Sequence, residues 1–169
     1  MSEQQLREQL YAAFKHRAAL YYLIFDELRR ELGEQRAVAI LQRAIRRRGE
    51  AIGQQFARYA PSDLGGLKDA FLAIIPDDGR MFSAKVDRCD AGGLDITLQS
   101  CPLKDAWQAA GLSDQEVATL CRIAAAIDEG TFEGAGFRFR AETWQPSRDD
   151  CCHLHIGPGP SRAEDNNPK

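Results

Sequence analysis

Five cysteines, Cys89, Cys101, Cys121, Cys151 and Cys152, are the residues of this sequence whose types best suit chemistry. No two stand in CxxC spacing, so the commonest zinc and redox signatures are missing. Cys101 precedes Pro102, a residue suited to the first position of a helix. A thiol there faces the positive end of the helix dipole and unsatisfied backbone N–H groups, which would lower its pKa and favour the thiolate. Cys121 falls inside a predicted helix reaching Asp128, seven residues on, so the two share about the same face. Cys152 alternates with Leu154 and Ile156 and should point inward, whereas Cys151, His153 and His155 have the opposite parity. Cys89 shares parity with Ser83, Lys85 and Asp87, so it should point away from the core and be dispensable. The expected site is therefore Cys101, Cys121, Asp128 and Cys152. The bland alternative is that free cysteine often serves as a small apolar filler, which applies to Cys121 and Cys152 taken singly. His153 and His155 read as solvated groups on a polar strand face.

These side chains need elements to hold them. Glu3 to Leu32 has no Gly or Pro and carries Leu6, Leu10, Phe14, Tyr21, Ile24 and Leu28 at helical spacing, with Gly33 as its stop. A second helix is predicted from Glu34 to Tyr59, bounded by Pro61, and so short a joint predicts an antiparallel helical hairpin. Ser62 and Asp63 look like caps for a shorter helix ending near Ile75. From Pro76 the pattern changes to period two. Phe82, Ala84 and Val86, then Leu94, Ile96 and Leu98, flank a Gly92-Gly93 turn and predict a β-hairpin. Cys101-Pro102 opens a helical stretch through Trp107. Ser113 to Glu116 has the form of a capping box. Phe137, Phe139 and Ala141, then Cys152, Leu154 and Ile156, predict two more strands.

Helices first and strands later give an α+β fold: a long N-terminal helical hairpin plus a C-terminal antiparallel sheet of about four strands with interspersed helices. The expected organisation is one domain over 1–156, with a helical half at 1–75 and a sheet-containing half at 76–156. The polar tail 157–169 is expected to be disordered.

Composition narrows the function. The chain has 169 residues, 44% hydrophobic and 28% charged, with a net charge of -3. No global basic field recruits nucleic acid or anionic lipid. The longest apolar run, Ala18 to Phe25, falls well short of the roughly twenty residues of a membrane span. No secretory segment follows the first methionine, and an odd cysteine count suits a reducing compartment. A cytoplasmic protein is expected.

Cys101-Pro102-Leu103, Trp107, Gly111-Leu112, Leu120-Cys121 and Asp128, followed by a Phe-rich strand and a final Cys-x-Leu-x-Ile at Cys152, resemble the hallmark segments of the L-2-amino-thiazoline-4-carboxylic acid hydrolase family. Gly33-Glu34, Ala37 and Arg48-Gly49 are similar to its helical half. The resemblance spans about residues 10–156, its specific part 100–156. Where the family has a glycine-aspartate turn before the last cysteine, this chain reads Ser147-Arg148-Asp149-Asp150, and Cys151 is an additional thiol.

The resemblance implies a small-molecule hydrolase that opens a cyclic amidine or thiazoline ring at a cysteine-centred site and yields N-carbamoyl-cysteine from the family's named substrate. Cys101 would attack and Asp128 would handle protons. No cofactor is required, although a metal held by Cys101, Cys121 and Cys152 stays open. Arg17, placed within the apolar stripe of the first helix, and Arg48, beside Gly49, are the expected substrate-binding cations. The competing reading is a non-catalytic ligand- or metal-binding dimeric module. Either way the partner is a small molecule, with a homodimer through the helical hairpin, because Ala18 to Phe25 is apolar nearly all round.

Overall fold

The computed structural model describes residues 2–160. Helix α1 (Glu3–Leu32) starts at a capping box in which Ser2 and Gln5 satisfy each other's backbone N–H groups. It ends at Gly33, whose φ of 80° suits glycine. Helix α2 (Glu34–Gly53) follows without a further linker and runs on as a 3-10 turn over Gln54–Tyr59, so the α-helix is shorter than its apolar pattern predicts. Helix α3 (Leu64–Ala73) is capped by Asp63, whose carboxylate accepts the Gly66 N–H at 2.9 Å.

Strands β1 (Ala84–Asp90) and β2 (Gly93–Leu98) form the expected hairpin. Helices α4 (Pro102–Ala109), α5 (Asp114–Ala124) and α6 (Ala126–Gly134) come next, then strands β3 (Arg138–Glu142) and β4 (Cys152–Gly157). All neighbouring strands are antiparallel, in the order β1-β2-β4-β3. The α+β expectation holds.

The helix predicted to run through Asp128 is two helices. The Ala125 N–H bonds Cys121 O at 3.0 Å in the α-helical pattern, but the Asp128 N–H reaches back only to Ala125 O. That tightening turns the chain, so Cys121 sits on α5 and Asp128 in the first turn of α6. Helix α6 lies closely against α2. A Cβ on Gly49 would stand 2.1 Å from Ile127 O, one on Gly53 2.3 Å from Thr131 O, and one on Gly130 2.1 Å from Arg46 O. Glycines on both helices are what permit this backbone approach, the close packing that the Gly49-x-x-x-Gly53 spacing suggests.

Two apolar clusters result. One joins α1, α2, α4 and α5 around Phe25, Leu41, Ile45, Trp107 and Leu120. The indole N–H of Trp107 donates to Ala18 O at 2.8 Å, tying α4 to α1. The other packs Phe56, Phe71 and Phe132 on the inner sheet face formed by Leu94, Ile96, Leu98, Leu154 and Ile156. The outer face is polar, but its histidines are half-buried and paired rather than simply solvated. His153 Nε2 meets Asp150 at 2.7 Å and His155 Nδ1 meets Asp95 at 2.8 Å.

Strand parity fails for Cys89. The register of β1 shifts between Val86 and Arg88, so one extra residue turns Cys89 opposite the buried Leu94. Cys89 therefore faces the α3 side, its Sγ 3.9 Å from Leu64 O, although it is exposed at the sheet edge. The disordered tail expected from Gly157 also needs revision at its start. Gly157 closes β4, and the Gly159 N–H donates to Pro61 O at 2.8 Å. Residues 161–169 lie outside the described part. No helix among the described residues is long and apolar enough to cross a membrane.

Candidate functional site

Where the two apolar clusters meet, α1, α3, α4, α5, α6 and the ends of β2 and β4 leave a cavity of about 260 Å³. Its walls are largely aromatic and aliphatic, from Phe14, Tyr21, Phe71, Phe82, Leu98 and Trp107. Into it face Cys101, Cys121, Asp128 and Cys152, the four residues that parity and helical phase sent inward. Cys151, Lys104 and Arg17 also line it.

Each thiol has its own electrostatic setting. Cys101 is the N-cap of α4, in extended conformation, with Pro102 as the first helical residue. Burial pushes its pKa up to about 11, and this outweighs the backbone N–H groups of Lys104 and Leu103 that favour its anion. The lowered pKa expected of a helix-start thiol is thus overturned: exclusion of water dominates over the helix terminus. Cys152 opposes Leu98 in the sheet and is pushed up to about 12, by burial first and then by Cys101 and Asp128. Cys121, buried on α5, is raised by burial and then by the facing Cys101, Cys152 and Cys151. Asp128 is raised to about 7 by burial, so near neutral pH it exists in both protonation states.

The sequence reading missed two members. Cys151 has parity opposite to Cys152, yet only 1% of it is exposed and it faces the cavity. It precedes β4, so strand alternation does not govern it. Its N–H bonds Leu98 O at 3.0 Å, and its Sγ–H approaches Gln99 O at 3.8 Å. Lys104 lies one turn after Cys101 on α4, and a signal for it was present in that spacing. Partial burial works against its charge, yet Cys151 and Asp105 hold its pKa above the ordinary lysine value.

The two expected arginines separate. Arg17 lines the cavity at its exposed edge, its guanidinium 4.5 Å from the Phe14 ring centroid. Arg48 is exposed on α2 and does not line the cavity, because Gly49 and not its neighbour turns toward α6. The expectation of a substrate contact at Arg48 is therefore corrected. Among the described residues, no three His, Cys, Asp or Glu side chains are arranged to hold a metal ion.

An α+β chain with a thiol- and carboxyl-lined chamber between its helices and its sheet is the class these observations define. Residues 11–156 match the L-2-amino-thiazoline-4-carboxylic acid hydrolase family, and the chain belongs to it. A search among curated proteins finds no match. In fold, the chain is similar to the phenol-responsive sensory domain of the transcription activator PoxR, solved with phenol. The TM-score is 0.54 at 16% sequence identity, covering 83% of this chain and 73% of that one. At that identity the likeness speaks for fold alone.

Proposed function

We propose that the protein binds a small single-ring molecule in this cavity and opens the ring by hydrolysis of a C–N/C–S-flanked carbon, with Asp128 moving the protons. The observation that carries this reading is a carboxyl poised at about 7 in the same chamber as four thiols. A group titrating near the working pH both donates and accepts protons, as general acid–base catalysis needs. The chamber, at about 260 Å³, is below the roughly 300–1,000 Å³ of drug-sized sites and suits one ring. Membership of the hydrolase family supports the same chemistry. Water supplies the oxygen of the new carbonyl, the ring C–S bond breaks, and the departing sulfur receives a proton. The free thiols suit a reducing compartment, so the proposed location is the cytoplasm.

The test is incubation of the purified protein with L-2-amino-thiazoline-4-carboxylate and related cyclic amidines, following thiol release and N-carbamoyl-cysteine by mass spectrometry. Asp128→Asn should lower turnover by roughly 10²–10⁴-fold. Absence of product from the whole panel overturns the reaction.

A second reading, binding without turnover, is favoured by the apolar walls and by the fold shared with a phenol-responsive domain. It is the conclusion if phenols or thiazolines raise the melting temperature while no substrate is consumed.

A further inference from the structure

We infer that the turn 76–83 is the lid of the cavity and that the Asp77 carboxylate latches it to α1. The lid governs entry and stands apart from the hydrolytic reading, since a chamber that only binds needs the same door. Among the described residues that line the cavity, Arg17 and Ile74 are the exposed ones, Ile74 by 44%. The mouth therefore lies between α1 and the C-terminal end of α3. The turn that follows α3 reaches across it to α1. Pro76 and Phe82, near its two ends, both line the cavity, and the Phe82 ring meets Phe14 of α1 edge-on with centroids 5.9 Å apart.

The two limbs of the turn are held by different forces. Met81 is buried, and Ser100, just past β2, donates its N–H to Phe82 O and its hydroxyl to Met81 O, both at 3.2 Å. That limb is anchored to the sheet. The other limb meets α1 through charge. Asp77 Oδ1 accepts from Arg7 Nε at 2.9 Å and from Arg80 Nη2 at 2.9 Å, while Oδ2 accepts the Tyr11 hydroxyl at 3.1 Å. Arg7, Tyr11 and Phe14 recur at helical spacing, so the latch and the cavity wall share one face of α1. The Asp77 side chain is 8% exposed, but those of Arg7 and Arg80 are 39% and 55% exposed. Water can therefore take over the guanidinium bonds when the limb lifts.

The backbone of the turn favours release. Asp77, Asp78 and Ser83 have φ of 58°, 52° and 45°, a left-handed conformation that residues other than glycine adopt at a cost and keep only where neighbours impose it. Letting go of Asp77 relaxes the first two, which offsets part of the lost latch.

The experiment is iodoacetamide labelling of the full chain carrying Cys89→Ser, which removes the exposed thiol, in rising urea kept below the unfolding midpoint. Cys101 and Cys152, the two partly exposed cavity thiols, are followed by mass spectrometry. Local opening bares little surface, so its labelling rate is nearly flat in urea, whereas entry through global unfolding rises steeply. The parent should show the flat dependence. The double variant Arg7→Met with Tyr11→Phe should label on the order of tenfold faster, the worth of one charge-assisted hydrogen bond, and stay flat. Asp77→Gly, which suits the left-handed backbone and removes the carboxylate, should do the same and keeps the test open if the double variant fails to fold. A steep urea dependence in the parent overturns the lid. So do variants that label no faster than the parent, or whose gain appears only as a steep dependence on urea.

Discussion

Asp128 carries its protonation state into the stability of the fold. Its pKa is about 7 in the folded chain, against an ordinary value of 3.8. The folded state therefore holds the proton more tightly than the unfolded chain does. Stability attributable to this group is fully present below the ordinary value and is lost as pH rises through about 7. Asp128→Asn, which cannot ionise, should gain on the parent protein between pH 4 and 7 and keep a constant lead above. The ceiling of that lead is roughly 4 kcal/mol, at 1.36 kcal/mol per unit. Urea midpoints at pH 5 and pH 8 check this; an unchanged gap between the two conditions would remove the buried-carboxyl account. Arg48 offers the opposite expectation. Exposed on α2 and outside the cavity, it should tolerate Arg48→Ala with turnover within about twofold and stability within about 0.5 kcal/mol.

The pair α2 and α6 sets the position of that carboxyl. Gly49 meets Ile127 O, and Asp128 is the next residue. Gly49→Ala collides with backbone rather than with a movable side chain, so the expected loss is about 1–3 kcal/mol with a displaced Asp128. Thermal melts and turnover should fall together; a neutral Gly49→Ala would contradict the close approach. Elements of this kind were legible before the structure. The glycine spacing announced a tight backbone contact, the caps at Ser113 and Asp63 announced helix starts, and period-two runs announced all four strands. What escaped notice depends on tertiary placement. The turn at Ala125 has no Gly or Pro to mark it, so α5 and α6 read as one helix. The bulge in β1 inverted the parity of Cys89. Cys121, Asp128 and Cys152 were legible as inward-facing because each projects from a regular element, and Cys101 because Pro102 after it marks a helix start. Cys151 was not, since it lies one residue outside β4. The acidity of Cys101 was misjudged because burial depends on neighbours far away in sequence.

At the scale of the whole molecule, α1 is only half covered. Ala18 and Phe25 are buried, but Leu20, Leu23 and Ile24 are 55%, 56% and 47% exposed, at the spacing that gathers them on one side of a helix. An apolar stripe on a long surface helix is costly to leave wet. Self-association through this face, as a homodimer, is the expected outcome at micromolar concentration, and Leu23→Glu should shift the light-scattering mass toward the monomer. A monomeric parent protein would count against it.

Trp107 gives the molecule a built-in optical reporter. Its indole forms part of the cavity wall and is held there by the bond to Ala18 O, so its emission registers whatever enters. Trp144, the second buried tryptophan, does not line the chamber and can be silenced by Trp144→Phe. In that variant a fitting ring should change the fluorescence of Trp107 through contact and through altered quenching by the nearby sulfurs. Ligand screening then needs no added dye and no knowledge of the reaction. A dose-dependent, saturable signal would identify occupants of the chamber before any product is sought.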